Sequence, residues 1–350
     1  MALYNNSVLN VTNTATPDPY VIHANDNYFL TFTAGDRVEI WCADSLLNFN
    51  DRCSKHVVWR PPPDTDYSND VWAPELHRLQ GRWYIYVAAC NPHKGNKSHR
   101  MIVLGGPPAY QDPVQGPWEF LGPIRDMDQR QWAIDGTVIE LDGQMYFVYS
   151  GWPFDNPNES DLIQRLFILR LSDPITASSP AVEICRPAEP FERTGDHHIN
   201  EGPQYLASPD GSWRGIAYSC SGSWTNEYKM NTLRFRGGDP LNPGAWGKSM
   251  NPLVQTGTNG NGPWGPGHGS FMHIGDETVA IYHATDGPSD GWNNRKARMQ
   301  RVVFNDGGPF MGGGVGVLTD VHTFMGADHG SESHSSKKHG IKGLLHKLLD

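Results

Sequence analysis

The sequence has few charged residues and no long apolar run, and each absence excludes a class of protein. Charged residues make up 19% of the 350 positions, and the mean hydropathy is -0.53. No stretch approaches the ~18 consecutive apolar residues of a membrane-spanning helix, so we expect no membrane span. The formal net charge of -10 would repel phosphate backbones. We therefore expect no nucleic-acid partner.

The sequence also shows no paired-cysteine motif, and its first residues show no signal-peptide pattern. The five cysteines form no CxxC motif, which leaves no support for a thiolate zinc site or thioredoxin-type chemistry. Cys42 and Cys53 remain a candidate local disulfide in an oxidising compartment. The chain begins with MALYNNSVLN, which lacks the basic and apolar regions of a signal peptide. As it stands we expect no export, yet four N-x-[ST] sequons suit a mature secreted form, at Asn5, Asn10, Asn96 and Asn158.

Turn residues and aromatic residues are plentiful, and they frame short strands. The chain has 38 glycines and 27 prolines, a composition poor in helix formers that excludes a coiled coil. Asp142-Gly143 and Asp210-Gly211 each separate two apolar runs, which is typical of β-hairpins. The pattern predicts an all-β protein. The predicted strands cover residues 28–33, 82–88, 101–104, 137–141, 144–149, 166–171, 213–218, 278–283 and 299–304.

A hairpin of similar composition recurs five times. Each copy opens near a polar residue, and these residues are separated by 57, 60, 66 and 67 positions: Asp18, Glu75, Asp135, Glu201 and His268. Near-constant spacing predicts a five-bladed β-propeller from about residue 15 to residue 325, in which the five side chains converge on the central axis. Two β-sandwich domains are the alternative, and they would scatter these residues.

The end of the chain differs from the repeats. We expect one catalytic propeller domain over residues 1–325 and a separate tail over residues 326–350. The tail starts with a polar, His- and Ser-rich stretch that predicts disorder. It ends in IKGLLHKLLD, whose leucines recur at helical spacing. Two interpretations stay open for this end: a tail that docks on the domain weakly or not at all, or one that binds a membrane or partner.

Three of the converging positions are carboxylates: Asp18, Asp135 and Glu201. Each alone can be an Asx turn or a strand cap. Their shared position in the repeat favours a functional site. Several carboxylates near one axis repel each other, so they are poorly tolerated without a function or a cation. Hydrolysis of a glycosidic bond uses two carboxyl groups, one protonated and one ionised. A third can set their pKa values.

Other side chains near the blade ends suit a carbohydrate site. Aromatic rings stack on sugar faces or pack between blades, and the candidates are Trp41, Trp72, Trp132, Trp152, Trp224 and Trp264. His268, between glycines, is either a metal or water ligand in the channel or a satisfied buried histidine. Arg295 either clamps sugar hydroxyls and holds a carboxylate ionised, or is a solvated loop charge.

These motifs together resemble glycoside hydrolase family 43. The resemblance runs from Asp18 to about Gln300 and rests on Trp72-Ala73-Pro74-Glu75, Ala133-Ile134-Asp135, Asn200-Glu201-Gly202-Pro203, Gly267-His268-Gly269 and the Arg295…Gln300 pair. It implies a five-bladed propeller that hydrolyses glycosides with inversion. It also implies Asp18 as general base, Glu201 as general acid and Asp135 as the residue that tunes and orients the acid.

The resemblance extends to ligands. It implies substrate contacts from six residues: Trp72, Ala133, Ile134, Ser150, Gln204 and Arg295. It implies a structural calcium ion in the central channel near His268, and no organic cofactor. We expect a monomer that acts on arabinan or arabino-oligosaccharides.

The substrate linkage is the least determined feature. The segments WAPELH and HHINEGPQYL look most similar to exo-acting α-L-arabinofuranosidases that cleave α-1,5-linked arabinan. Endo-arabinanase and β-xylosidase are alternatives within the family. Many of its β-xylosidases carry a second domain after the propeller, which we do not expect here, and this weighs against a β-xylosidase. Exo or endo action depends on loops such as residues 91–100 and 151–161. A propeller lectin and a retaining fructan-cleaving enzyme, with Asp18 as nucleophile, are the alternatives outside it.

Overall fold

The described part of the protein is built from β-strands. A computed structural model describes residues 3–4, 8–154, 162–257, 262–312 and 319–320. No helix in these ranges is long and apolar enough to span a membrane. The helical turns found there are short 3-10 segments, at Leu46–Asn48, Asn96–Ser98, Pro113–Gln115, Pro190–Glu192 and Pro243–Ala245. The predicted tail at residues 326–350 lies outside the described residues.

The strands form five antiparallel blades, which we number 1 to 5; a short parallel pairing of Ile163 and Gln164 with His198 and Ile199 joins blades 3 and 4 into one sheet. Blade 1 contains Tyr20–Ala24, Asn27–Thr31, Val38–Ala43 and Ser54–Trp59. Blade 2 contains Asn69–Leu79, Arg82–Cys90, Arg100–Pro108 and Glu119–Pro123. Blade 3 contains Ala133–Leu141, Gln144–Gly151, Ile163–Asp173 and Val182–Cys185, with the short strand Thr176–Ala177 beside it.

Blades 4 and 5 repeat this arrangement. Blade 4 contains His197–Ala207, Arg214–Cys220, Lys229–Phe235 and Trp246–Lys248, with Arg193–Thr194 beside its first strand. Blade 5 contains Trp264–Ile274, Glu277–Thr285, Lys296–Asn305 and Leu9–Ala15, with Gly308–Phe310 beside it. A separate two-stranded pair joins Leu3–Tyr4 to Thr319–Asp320. All nine predicted strands overlap observed strands.

The blades are arranged as a propeller. The first strands of neighbouring blades contact each other in a closed ring, from blade 1 through blade 5 and back to blade 1. Five hydrophobic clusters lie between successive blades, and each draws residues from two of them. For example, Leu30 of blade 1 and Ile281 of blade 5 are fully buried in one cluster. The predicted five-bladed β-propeller is confirmed, and the two-sandwich alternative is wrong.

The ring closes with a strand from the start of the chain. Leu9–Ala15 pairs with Lys296–Asn305 of blade 5, in a register that places Leu9 opposite Met299. The Thr12 hydroxyl adds to this contact by accepting the backbone N–H of Ala297 at 3.0 Å. The propeller therefore begins before residue 15. The predicted boundary was too late because it rested on the hairpin repeats, which do not include the closing strand.

Tight turns connect the first two strands of the blades. Asp142 and Gly143 have φ values of 51° and 79°, as a type I′ hairpin turn requires at both central residues. Asn25 and Asp26 repeat this geometry in blade 1, with φ values of 51° and 61°. These turns fix the hairpin registers and so determine which residues of each first strand reach the axis.

Candidate active site

Each first strand has a left-handed residue where it approaches the central axis. In blades 2 to 5 this residue lies in a β-bulge, where the register with the second strand breaks; in blade 1 it comes just before the strand. The five residues have φ between 46° and 56°: Asp18, Ala73, Asp135, Gly202 and His268. Bulges re-aim side chains, and such backbone strain concentrates at functional sites.

This equivalence corrects the alignment of the repeats. Asp18, Asp135 and His268 share one structural position, as predicted. Glu75 lies two residues beyond the equivalent Ala73, and Glu201 lies one residue before Gly202. Glu75 is buried against His77, 2.8 Å away, and against the amide of Gln204. It therefore does not join the converging set.

The strands bring the three catalytic candidates to one cavity of about 520 Å³. Asp18, Asp135, Glu201 and His268 line it together, although up to 250 positions separate them in the sequence. The remaining wall is formed by six polar residues, two aliphatic residues and four tryptophans: Thr33, Asp70, Trp72, Asn96, Trp132, Ile134, Leu162, Gln164, Ser223, Trp224, Trp292 and Arg295.

Asp18 is held as a carboxylate. Its Oδ2 accepts the hydroxyl of Thr33 at 2.7 Å. Its Oδ1 lies 3.3 Å from Nδ1 of His268 and 3.4 Å from Nη1 of Arg295. Burial alone would raise the pKa of Asp18, but the positive charges of Arg295 and His268 outweigh burial and hold this pKa far below its usual value. Asp18 is thus ionised throughout the neutral range and can accept a proton.

Glu201 has the opposite protonation preference. Burial and the neighbouring charge of Asp135 raise the pKa of Glu201 to about 8. The hydroxyl of Tyr228 donates to its Oε1 at 2.8 Å and fixes the carboxyl group. At neutral pH the folded protein therefore holds a protonated Glu201 beside an ionised Asp18, which is the pair that general acid–base hydrolysis needs.

Asp135 has a pKa between those of Asp18 and Glu201. Burial raises its pKa to about 6, although the His268 charge opposes this rise. Its Oδ2 accepts the backbone N–H of Gly202 at 3.0 Å, so it is attached to the residue that follows Glu201. Asp135 can thus influence both the charge and the position of Glu201.

His268 supplies a positive charge among the carboxylates. Burial lowers its pKa, but Asp135 and Asp18 outweigh burial and raise the pKa to about 10. Its Nδ1 lies 3.3 Å from Asp18 and 3.8 Å from Asp135, and its backbone N–H donates to Ser219 at 2.7 Å. His268 is therefore neither an uncharged packing residue nor a free ligand: it is an imidazolium paired with two acids.

His283 holds the backbone of Asp18 and was not predicted from the sequence. Its Nδ1 accepts the Asp18 N–H at 3.0 Å, and burial lowers its pKa well below the usual value, which keeps the ring neutral and able to accept. The residue occupies an ordinary inward position of the strand Glu277–Thr285. Nothing in its local sequence distinguishes it from a core histidine.

The match to known proteins identifies the family. The model of glycosyl hydrolases family 43 matches residues 4–309. This chain belongs to that family. An α-L-arabinofuranosidase of Humicola insolens is 32% identical over 83% of this chain, which spans 60% of that protein's length. An extracellular exo-α-(1→5)-L-arabinofuranosidase of Streptomyces chartreusis is 31% identical over 76% of this chain and 79% of its own length.

More distant relatives have other names. An extracellular endo-α-(1→5)-L-arabinanase of Thermotoga petrophila is 25% identical over 67% of this chain and 44% of its own length. The solved α-L-arabinofuranosidase of Lactobacillus brevis superposes with a TM-score of 0.76 at 26% identity, covering 88% of this chain and 96% of its own. The names of these relatives include both exo- and endo-acting enzymes.

The structure divides the predicted substrate residues of this family 43 enzyme into two groups. Trp72, Ile134 and Arg295 line the cavity. Ala133, Ser150 and Gln204 are buried and do not line it. The Ser150 hydroxyl lies 2.9 Å from Gln164 Oε1, and Gln164, which was not predicted, lines the cavity.

The predicted tryptophans also divide. Trp72, Trp132 and Trp224 line the cavity, whereas Trp41, Trp152 and Trp264 do not. Trp152 stacks behind Trp132 at 4.8 Å, and His99 stacks on Trp72 at 3.9 Å. The predicted loop at residues 91–100 contributes Asn96, whose backbone carbonyl accepts the Trp132 indole N–H at 2.8 Å. Residues 155–161 of the other predicted loop lie outside the described residues.

The side chains near His268 do not match the predicted calcium site, and the cysteines form no disulfide. In the described ranges, no group of three or more His, Cys, Asp and Glu side chains is arranged to hold a metal ion. His268 engages Asp18 through Nδ1, and one nitrogen does not match the oxygen ligands that Ca²⁺ prefers. The donor set does not fit calcium, and we derive no step through it. All five cysteines, including Cys42 and Cys53, are free thiols.

Proposed function

We propose that this protein is an inverting α-L-arabinofuranosidase that releases terminal L-arabinofuranose from α-1,5-linked arabinan or arabino-oligosaccharides. One observation carries the proposal: an ionised Asp18 and a protonated Glu201 line the same cavity. The relatives from Humicola and Streptomyces support the choice of sugar, since both are named arabinofuranosidases.

The proposed reaction is a single displacement. Glu201 gives its proton to the glycosidic oxygen as the bond to the anomeric carbon breaks. Asp18 takes a proton from a water molecule, whose oxygen bonds to the anomeric carbon from the opposite face. The product is arabinose with inverted anomeric configuration, and the leaving group departs as an alcohol. Asp135 raises the pKa of Glu201 and holds Gly202, while Arg295 and His268 keep Asp18 ionised.

Product analysis on linear α-1,5-arabinan tests this function. Chromatography follows the released sugars, and proton NMR follows their first anomeric form. We expect arabinose as the only early product, in the β form. Early oligosaccharides would instead indicate an endo-arabinanase, like the Thermotoga relative by name. A retained anomer would contradict the role of Asp18 as base.

A matched variant separates an enzyme from a lectin. Glu201→Gln keeps the size of the side chain and an oxygen for the Tyr228 hydroxyl, but it has no proton to give. We expect this variant to bind arabino-oligosaccharide in calorimetry and to release no arabinose. A wild-type protein that binds without turnover on arabinan and on xylo-oligosaccharides would support the lectin alternative and contradict the proposal.

A further inference from the structure

The cavity rim carries an exposed tryptophan that the reaction so far does not use. Trp292 lies in the loop between Glu277–Thr285 and Lys296–Asn305, and 61% of its surface is exposed. It nevertheless lines the same cavity as Asp18 and Glu201. Most large aromatic rings of this protein are buried between blades, so packing does not explain the position of this one.

The ring of Trp292 is held in place before any ligand binds. Its indole N–H donates to the hydroxyl of Ser223 at 3.1 Å. Trp224 meets it edge to face, with ring centroids 5.4 Å apart and planes at 67°. His197 in turn packs edge to face on Trp224 at 4.8 Å. A ring fixed in this way loses little conformational entropy when a ligand stacks on it.

The two aromatic walls of the cavity differ. Blades 2 and 3 supply Trp72 and Trp132, each backed by another stacked ring. Blades 4 and 5 supply Trp224 and Trp292, which form an open edge-to-face pair at the rim. Trp224 follows the strand Arg214–Cys220, which pairs with the strand that carries Glu201. Trp224 therefore belongs to the blade that holds the acid, and Trp292 packs against it from blade 5.

We propose that Trp292 and Trp224 form a platform for the leaving-group sugar, the residue that departs when arabinose is released. This inference rests on the proposed function, in which Glu201 protonates the oxygen between the two sugars. The leaving sugar must then lie beside Glu201 and toward solvent, where this pair stands. The apolar C–H faces of a sugar ring stack on an indole face. Substrates with a sugar leaving group are therefore favoured over those with a small alcohol.

The same loop connects the platform to the base. The Arg295 Nε donates to the backbone carbonyl of Trp292 at 3.1 Å, and its Nη1 reaches Asp18 at 3.4 Å. Left-handed residues flank this stretch, at Gly291 and Asn294, with φ of 60° and 55°. Because the carbonyl of Trp292 is a backbone group, a side-chain substitution at this position leaves the Arg295 contact in place.

Trp292→Ala and Trp292→Phe test the platform with arabinotriose as substrate. We expect KM to rise about tenfold in the alanine variant, as for loss of an aromatic anchor, with kcat within about twofold. The phenylalanine variant should fall between. The Ki of arabinose as a product inhibitor should stay unchanged, because arabinose occupies the deep part of the cavity. Tyr110→Ala is the control, since Tyr110 is 76% exposed and does not line the cavity.

An unchanged KM in Trp292→Ala would overturn the platform, and so would a parallel rise in the Ki of arabinose. Calorimetry in a Glu201→Gln background separates this result from failure of the proposed function. If the wild type releases no sugar but Trp292→Ala still weakens arabinotriose or xylotriose binding about tenfold, the arabinofuranosidase proposal fails and the platform stands. If neither trisaccharide binds, the platform is overturned as well.

Discussion

The imidazole of His283 accepts the backbone N–H of Asp18 at 3.0 Å, across 265 positions of sequence. This bond joins the second strand of blade 5 to the residue that opens blade 1. It satisfies a buried donor whose residue is left-handed, with φ of 56°. The position of the proposed base therefore depends on a side chain from the opposite end of the chain.

Replacing His283 should impair catalysis through the position of Asp18. His283→Leu leaves the Asp18 N–H without an acceptor, which costs ~1–3 kcal/mol and displaces the carboxylate. We expect kcat to fall about tenfold or more, with little change in KM. His283→Gln supplies an acceptor oxygen and should recover much of the rate. Steady-state kinetics decides this, and equal impairment of both variants would exclude a positioning role.

Glu201→Gln should stabilise the protein while it abolishes turnover. The raised pKa of Glu201 means that this acid costs folding free energy at every pH above its ordinary pKa near 4.5, and the cost grows up to about pH 8. The amide has no charge to bury. We expect the Tm difference between variant and wild type to increase from pH 5 to pH 8, by roughly 2–4 °C per kcal/mol. Calorimetry at both pH values measures it; a constant difference would contradict the raised pKa.

Asp135→Asn should shift the alkaline limb of the pH–rate profile. In the wild type, kcat/KM is expected to fall as pH rises through about 8, because Glu201 loses the proton that it must donate. Burial raises the pKa of Glu201 most, and the Asp135 charge adds to it. Without that charge the pKa of Glu201 falls, so the alkaline limb of the profile should move to lower pH. A limb that stays in place, or moves upward, would contradict the assigned coupling.

Gly202→Ala should impair catalysis, whereas the same substitution at Gly143, another left-handed glycine, should not. A Cβ on Gly202 would lie 3.1 Å from Cγ of His268, in a residue with φ of 55°. Gly143 is also left-handed, with φ of 79°, but its Cβ would meet nothing within 4 Å. We expect both alanine variants to lose ~1 kcal/mol of stability, and only Gly202→Ala to lose most of its kcat. Equal activities would show that the contact is readily relieved.

The sequence predicted the strands, the hairpins and the propeller because these depend on local patterns. Aromatic runs favour strands, and pairs such as Asp142-Gly143 favour turns, through interactions between residues that are close in the sequence. The spacing also located Asp18, Asp135 and His268 correctly at one structural position. It misaligned Glu75 and Glu201 because in blades 2 and 4 the left-handed position is held by Ala73 and Gly202, and the nearest acidic residue lies beside it rather than at it.

Other parts of the site depend on distant partners. Trp292 lies in a polar stretch, SDGWNNR, where no periodicity indicates a buried or ligand-facing ring. Trp152 was a candidate for sugar contact, yet it stacks behind Trp132, because the packing between strand ends decides which ring faces the cavity. Likewise, His268 is an imidazolium only because two carboxylates from blades 1 and 3 reach it.

The closing strand Leu9–Ala15 has a consequence for how the protein is made. During synthesis this segment leaves the ribosome before its partner Lys296–Asn305, which follows nearly three hundred residues later. Until then Leu9–Ala15 lacks its partner strand and exposes an unpaired backbone edge, which favours association between chains. The proposed base Asp18 follows the closing strand directly, and its contacts with His283 and Arg295 also await the last blade. A ribosome-bound nascent chain that ends before blade 5 would thus lack both a closed ring and the side chains of His283 and Arg295 that hold Asp18.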